Sequence, residues 1–185
     1  MLSADISSVV SAVLAGVSVK LLDDSLDEEP NPARAAYSTL CICLACITEV
    51  RIGAMLFMSA YIIGMFIRSQ DARPACLRMG ESALVFVACS LAFGVVPLLA
   101  ALSAVLAVQV ADDLMDAGHD MAAKQPNLCS RYGLPACVFA VGCASVASWV
   151  FDPRIALLAL VGAVAVWVTE HAGVFGGERG KRLVR

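Results

Sequence analysis

The sequence has little charge and few aromatic side chains. Only 16% of its 185 residues are charged and 6% are aromatic, whereas 60% are hydrophobic and the mean hydropathy is +0.82. In soluble domains about a quarter of the residues are charged, so this low fraction of charged residues excludes an ordinary soluble domain. The composition predicts a membrane protein whose partner is the lipid bilayer and not a nucleic acid.

The cysteines lack the neighbours that a metal site needs. Eight cysteines are present, and the densest group is "CICLAC" at Cys41, Cys43 and Cys46. No histidine or carboxylate stands beside this group, and it lies within an apolar run. The eight thiols are therefore expected to be free and to pack as small hydrophobic side chains.

Apolar runs and their connectors predict the topology. About seven runs are separated by charged or turn-forming residues: 6–22, 35–49, 52–67, 82–94, 97–111, 132–150 and 155–170. Connectors at 49–51, 94–97 and 152–154 are tight, whereas those at 23–34, 68–81 and 112–131 are long and charged. If every run crosses once, all the long connectors lie on one side of the membrane, together with eleven of the 13 basic residues, because only Arg51 and Arg154 fall opposite. The positive-inside rule identifies that side as cytoplasmic.

These patterns predict an all-α, polytopic membrane bundle of about seven transmembrane helices around a central cavity that opens to the cytoplasm. Residues 1–175 are expected to form a single transmembrane helical domain. Residues 176–185, which include "GERGKRLVR", are expected to form a basic cytoplasmic tail at the anionic inner leaflet.

Two acidic stretches follow apolar runs on the predicted cytoplasmic side. The first is "KLLDDSLDEEPNPAR", with Asp23, Asp24 and Asp27, and the second is "ADDLMDAGHD", with Asp112, Asp113, Asp116 and Asp120. Residues three and four apart share a helix face, so each stretch forms a stripe of carboxylates. Like charges at this spacing repel one another, so a cation is expected to bind them.

Magnesium bound to a diphosphate fits this arrangement. Mg²⁺ binds through one or two carboxylates together with substrate phosphates. The predicted metal ligands are Asp23, Asp24, Asp27, Asp113, Asp116 and Asp120, and the nearby cations Lys20, Arg34, Arg68 and Lys124 are the predicted diphosphate ligands. The sequence thus predicts a Mg²⁺-diphosphate site beside an apolar cavity for a lipid tail.

The acidic stretches resemble the signatures of the UbiA-type intramembrane prenyltransferases. The second signature of that family, Asp-x-x-x-Asp followed by a Thr-Leu position and a glycine, is similar to Asp116-Ala-Gly-His-Asp120 with Asn127-Leu128 and Gly133. Its first signature, Asn-Asp-x-x-Asp-x-x-x-Asp, resembles Asp23-Asp24-Ser-Leu-Asp27, with Asn31 in place of the last aspartate. The likeness covers residues 14–170.

The resemblance implies an activity and a set of partners. Asp24, Asp27, Asp116 and Asp120 would be catalytic, Asn31 would join the diphosphate ligands, and Mg²⁺ would be the cofactor. An isoprenyl diphosphate would ionise to an allylic carbocation that an acceptor of unknown identity captures. Because the family has more helices than this chain has apolar runs, a second copy in a homodimer, a partner subunit or lipid would complete the wall of the bundle.

Three alternatives remain open from the sequence. A membrane terpene cyclase would use the same cation and capture it intramolecularly. A CDP-alcohol or phospho-sugar transferase also uses aspartates at the membrane edge, but the Asp-Gly-x-x-Ala-Arg pattern is absent. A small membrane transporter or non-catalytic scaffold is less consistent with apolar runs whose middles carry no charge.

Overall fold

The computed structural model describes residues 5–27, 32–67, 75–123 and 127–172. Every regular element in these ranges is an α-helix. The helices are α1 (Ile6–Asp27), α2 (Pro32–Ile67), α3 (Ala75–Phe93), α4 (Val95–Ala123), α5 (Leu128–Tyr132), α6 (Leu134–Phe151) and α7 (Pro153–His171). The predicted basic tail at 176–185 lies outside the described residues.

Six of these helices are long and apolar enough to cross a bilayer. Within the described ranges they are Ile6–Asp23, Pro32–Gly64, Cys76–Phe93, Val95–Gly118, Leu134–Phe151 and Pro153–His171. Each has at least 18 residues, close to the roughly 20 that a hydrocarbon core requires. The described part of the chain is therefore all-helical, and its six apolar helices indicate a multi-pass membrane protein, as the composition predicts.

The three tight connectors each contain one residue that leaves the helical conformation. Glu49 interrupts α2 with φ −157° and ψ 93°, and Asp152 separates α6 from α7 with φ −157° and ψ 101°. Both carboxylates accept a hydrogen bond from the main-chain N–H two residues later, Glu49 from Arg51 (3.2 Å) and Asp152 from Arg154 (2.9 Å). Each side chain thus caps the helix that follows it. The third break, Gly94, has φ +94°, a conformation in which a side chain would be strained.

Two helix boundaries differ from those expected from the apolar runs. Helix α3 begins at Ala75, although its run begins at 82, and α4 continues to Ala123, although its run ends at 111. The connector predicted over 112–131 is therefore shorter than expected, because residues 112–123 belong to α4. Leu114, Met115 and Ala117 are good helix formers, and helix propensity does not stop where hydrophobicity does.

The described residues form two compact units. The first consists of residues 1–57 and 158–185, which include α1, most of α2 and most of α7. The Oγ of Ser11 lies 2.9 Å from the Ala45 carbonyl oxygen and 3.0 Å from that of Glu49, whereas Ser18 bonds to Ser38. The earlier residue of α1, Ser11, thus contacts the later part of α2, and the later residue, Ser18, contacts the earlier part. The two helices are therefore antiparallel.

Helices α1 and α7 are parallel within the same unit. A Cβ atom on Gly162 would lie 2.8 Å from the carbonyl oxygen of Ala12, and one on Gly16 would lie 3.1 Å from a methyl of Val166. Further along, Lys20 forms a 3.6 Å ion pair with Glu170. The C-terminal ends of α1 and α7 consequently lie at the same end of this unit.

The pair Ser18 and Ser38 yields a test of the packing between α1 and α2. The Oγ of each serine donates to the main-chain carbonyl of the other, at 2.9 and 2.8 Å, and both residues are buried. A double-mutant cycle of Ser18→Ala and Ser38→Ala is expected to show coupling of about 0.6 to 1.7 kcal/mol, the range found for interhelical hydrogen bonds in membranes. The coupling free energy is obtained from the unfolding free energies of the four proteins of the cycle in mixed micelles.

Ser148→Ala provides the matched control for that cycle. Ser148 is equally buried and donates to the carbonyl oxygen of Ala100 at 2.9 Å, but it belongs to the second unit and shares no partner with Ser18. The Ser18→Ala and Ser148→Ala effects should add to within about 0.5 kcal/mol. Additive effects of Ser18→Ala and Ser38→Ala would contradict the reciprocal bonding.

The second unit spans residues 58–157 and is built around α4 and α6. Leu98, Ala101 and Ala104 are buried along the apolar part of α4. Towards the C-terminal part of α4, Val110 and Ala117 form a cluster with Cys129 of α5 and Cys137 of α6. This cluster places the short helix α5 against the turn of α4 that carries the aspartates.

Candidate functional site

The first acidic stretch ends α1. Asp23 is exposed there, whereas the side chains of Asp24 and Asp27 and the whole of Asn31 lie outside what the structure describes. Arg34 is partly buried in the first turn of α2. The structure thus confirms that Asp23, Asp24 and Asp27 lie in the last turns of an apolar helix.

Lys20, a predicted diphosphate ligand, lies one turn before this stretch. Its Nζ is 3.6 Å from an Oε1 oxygen of Glu170, and the two side chains are only 18% and 27% exposed. The ion pair holds the ammonium close to the end of α1. Sequence reasoning missed Glu170, because 150 residues separate it from Lys20 and no local pattern links them.

The second acidic stretch lies on α4. Asp112 is exposed, whereas Asp113 and Asp116 are partly buried and share one face of the helix. The side chain of Asp120, like Lys124 and Arg68, is outside the described residues. Both described partly buried carboxylates fall within the last two turns of the candidate span Val95–Gly118.

The chain folds back onto this acidic turn through Asn127. The Nδ2 of Asn127 donates to the main-chain carbonyl oxygen of Asp113 at 2.8 Å, and its Oδ1 accepts from the N–H of Cys129 at 2.7 Å. The carboxylate of Asp113 accepts from the N–H of Leu128 at 2.9 Å. The acidic turn of α4 is therefore part of a packed structure and not a solvated helix end.

Asn127 is the residue whose role the sequence analysis did not identify. It is 6% exposed and is the N-cap of α5. An asparagine after a proline and before a short helical stretch is a typical N-cap signal, so "PNLCSRY" carried the information. Its bond to Asp113, in contrast, depends on tertiary structure.

The buried thiol of Cys129 lies beside this turn. All eight cysteines are free, which agrees with the expectation from sequence. Burial, a hydrogen bond with Cys137 and the charge of Asp113 raise the pKa of Cys129 to about 11. A thiolate is the form that binds metal, so Cys129 is a packing residue at neutral pH.

The described donors fit a hard cation better than a closed metal centre. In the parts of the chain that the structure describes, no three histidine, cysteine, aspartate or glutamate side chains lie close enough together to hold a metal ion. Asp113 and Asp116 supply only carboxylate oxygens, the donor type and number that suit Mg²⁺ when substrate phosphates and water complete its shell. The two acidic stretches belong to different units, and their predicted meeting stays a prediction.

Comparisons with known proteins do not extend this assignment. No family model, no curated protein and no solved structure matches the chain.

Proposed function

We propose that this protein is a Mg²⁺-dependent membrane prenyltransferase that moves an isoprenyl group from an isoprenyl diphosphate to an acceptor. The observation that carries the proposal is the half-buried acidic face of α4 at the end of an apolar span. Ionisable groups in such a place are costly unless they have a functional partner. The stretch from Asp116 to Asp120, together with Gly133, resembles the second UbiA signature and supports the same function.

The chemistry requires separate environments for the two ends of the donor. Bound Mg²⁺ would supply electrostatic stabilisation of the diphosphate leaving group. Asp23, Asp24, Asp27, Asp113, Asp116 and Asp120 would hold the metal, and Lys20, Arg34, Arg68, Lys124 and Asn31 would contact the phosphate oxygens. Cleavage of the allylic C–O bond would leave its electron pair on the diphosphate. The acceptor would donate a new pair to the carbon and then release a proton. The apolar helices would exclude water from the cation.

The orientation of α1 and α7 supports seven crossings around the proposed cavity. The two helices are parallel in the first unit. If α2, α3, α4 and α6 each crossed once, α7 would run antiparallel to α1. A fifth intervening crossing restores the parallel orientation, and the break at Glu49 divides the 36-residue α2 into two helices that would supply it. Seven crossings would be consistent with the prediction that both acidic stretches and the C-terminus lie on the cytoplasmic side.

Calorimetric titration with geranylgeranyl diphosphate tests the proposal. The purified full chain should bind the diphosphate in the presence of Mg²⁺. Without Mg²⁺ its affinity should fall about 100-fold or more, which corresponds to a loss of about 2.7 kcal/mol or more in binding free energy. An Asp116→Ala/Asp120→Ala variant should lose the binding as well. Asp112→Ala removes an exposed carboxylate from the same helix and should stay within about ten-fold of the parent.

A folded protein that shows no Mg²⁺-dependent binding would contradict the proposed function. Equal loss in Asp112→Ala and in the double variant would indicate a general effect of charge instead of a built site. With binding established, a screen of hydroxyl-bearing and aromatic acceptors would follow, and a cyclic hydrocarbon formed without acceptor would instead identify a terpene cyclase.

A further inference from the structure

Three serine hydroxyls on α2 and α3 are buried without a hydrogen-bond partner. Within the described ranges these are the Oγ atoms of Ser59, Ser82 and Ser90, and Ser59 and Ser82 are only 0% and 2% exposed. The equally buried Ser148, in contrast, donates to the carbonyl oxygen of Ala100. A buried hydroxyl without a partner destabilises the packed state, because its hydrogen bonds to water are lost and not replaced.

The helices that carry these serines offer them an acceptor that they do not use. A hydroxyl in a helix can donate to the carbonyl oxygen four residues earlier, as Thr39 does to Ala35 at 2.9 Å. Ser59 and Ser82 make no such bond. Their hydroxyls are therefore directed away from the backbone of their own helices and into the packed interior.

A hydrogen bond between α2 and α3 lies at the level of Ser59 and Ser82. The hydroxyl of Tyr61 donates to Oε2 of Glu81 at 3.3 Å. Ser59 lies two residues before Tyr61, and Ser82 directly follows Glu81, so both serines are within one helical turn of this bond. The two helices thus meet at a level where each has one buried hydroxyl without a partner.

Helix α3 is the least buried of the described candidate spans. Only 11% of the residues in its span are buried, against 17% to 33% in the other five. Gly94 alone separates α3 from α4, and its φ of +94° is a conformation that glycine adopts without strain. Single residues that end a helix and absorb a change in backbone angles are typical hinges. A rotation of α3 about Gly94 would therefore break few contacts.

We infer that α3 is a hinged helix, which turns about Gly94 and opens its junction with α2 at the level of Ser59 and Ser82. The inference is independent of the proposed function. Ser82 lies twelve residues before Gly94, about 18 Å along the helix, so a rotation of about 10° moves it by about 3 Å, the diameter of a water molecule. Water in the opened junction would give both hydroxyls hydrogen-bond partners.

The first turns of α3 supply a route for that water. Arg78 and Glu81 lie there, and both are only partly buried. Charged side chains near the end of a span draw water to that level of the membrane. Ser82 is one turn beyond Arg78 on the same face, so water reaches it first. Ser90 lies one turn from Gly94, where the same rotation moves the helix by only about 1 Å, so its surroundings stay closed.

Labelling of a thiol at position 59 measures the opening. Ser59→Cys in the full chain is reconstituted in lipid nanodiscs and treated with a water-soluble maleimide, and the modified peptides are quantified by mass spectrometry. The native Cys137 of α6, which is 3% exposed, reports on global unfolding in the same sample. The thiol at position 59 should react at least about ten-fold faster than Cys137, because a local opening requires less free energy than unfolding.

Four variants made on this background separate hinged opening from other motions. Ser82→Ala removes a hydroxyl that only the open state hydrates, so it should slow labelling about 5-fold or more. Tyr61→Phe removes the hydrogen bond to Glu81 and should accelerate labelling about 2- to 10-fold. Ser90→Ala, near the hinge, and Ser148→Ala, whose hydroxyl keeps its acceptor in both states, should each leave the rate within about 2-fold.

Three results would overturn the inference. Labelling at position 59 no faster than at Cys137 would mean that this position opens only when the protein unfolds. An unchanged or faster rate in Ser82→Ala would mean that the opening does not hydrate Ser82. Equal slowing by Ser90→Ala and Ser82→Ala would mean that α3 separates as a whole and does not turn about Gly94. If Ser59→Cys does not fold, Ser82→Cys with Ser59→Ala as the test variant repeats the measurement with the two roles exchanged.

Discussion

Gly162→Leu is expected to lower the unfolding free energy by about 3 kcal/mol, the upper part of the range for overpacked sites. A Cβ atom at this position would lie 2.8 Å from the carbonyl oxygen of Ala12, which is main chain and part of α1. Because a helix backbone cannot move locally as a flexible side chain does, α1 and α7 would have to separate. Gly162→Ala should cost about 1 to 2 kcal/mol for the same reason.

Unfolding in mixed micelles, followed by tryptophan fluorescence, measures this effect. Trp167 lies on α7 five residues beyond Gly162, so its emission reports on the helix under test. Gly142→Ala and Gly142→Leu are the matched controls, because Gly142 lies within α6 and a Cβ there would meet nothing within 4 Å. Removing that helical glycine should leave stability unchanged or raise it by up to about 1 kcal/mol. Equal effects at Gly142 and Gly162 would exclude close packing of α7 on Ala12.

Asn127→Ala is expected to lower the opening free energy of the α5 segment by about 2 to 3 kcal/mol. The substitution removes the acceptor of the Cys129 N–H and the donor to the Asp113 carbonyl, both within a largely buried region. Loss of an N-cap asparagine costs about 0.5 to 2 kcal/mol, and a buried polar group left without its partner adds about 1 to 3 kcal/mol before the site relaxes.

Hydrogen exchange of residues 127–133, read by mass spectrometry, measures this opening directly. Exchange there should accelerate about 30- to 150-fold, which is the predicted free energy expressed as a ratio of rates. Ser130→Ala is the matched control, because Ser130 is exposed and its hydroxyl makes one bond to the Asn127 carbonyl. That variant should change exchange by less than about ten-fold, since the bond is worth about 1 kcal/mol. Unchanged exchange in Asn127→Ala would mean that α5 is held by its apolar contacts alone.

The acidic stretch of α4 illustrates how far local pattern could predict the candidate site. Spacing alone predicted that Asp113 and Asp116 share a helix face, because three residues correspond to nearly one turn. The structure confirms the helix and the face but extends α4 to Ala123. Hydropathy marks where side chains leave the apolar phase, whereas a helix ends where its backbone geometry changes, so the apolar run was a poor guide to the boundary.

The breaks between helices were predictable for a similar reason. Glu49, Gly94 and Asp152 stand where apolar runs meet, and carboxylates and glycine are residues that cap a helix or adopt unusual backbone angles. These features depend on only two or three consecutive residues, so they can be recognised in the sequence. The crossing count of seven remains a prediction that the parallel orientation of α1 and α7 supports.

By itself, the sequence determined the properties that depend on composition and on near neighbours: apolar helices that require a membrane, the sites where they break, and the shared helix face of Asp113 and Asp116. Only the tertiary structure decided which distant groups meet, such as Lys20 with Glu170, Gly162 with Ala12, and Asp113 with Asn127. The physical reason is that transfer free energy and helix propensity act locally along the chain. A hydrogen bond or a close backbone contact between helices depends instead on how the whole chain folds back, and no local pattern specifies that.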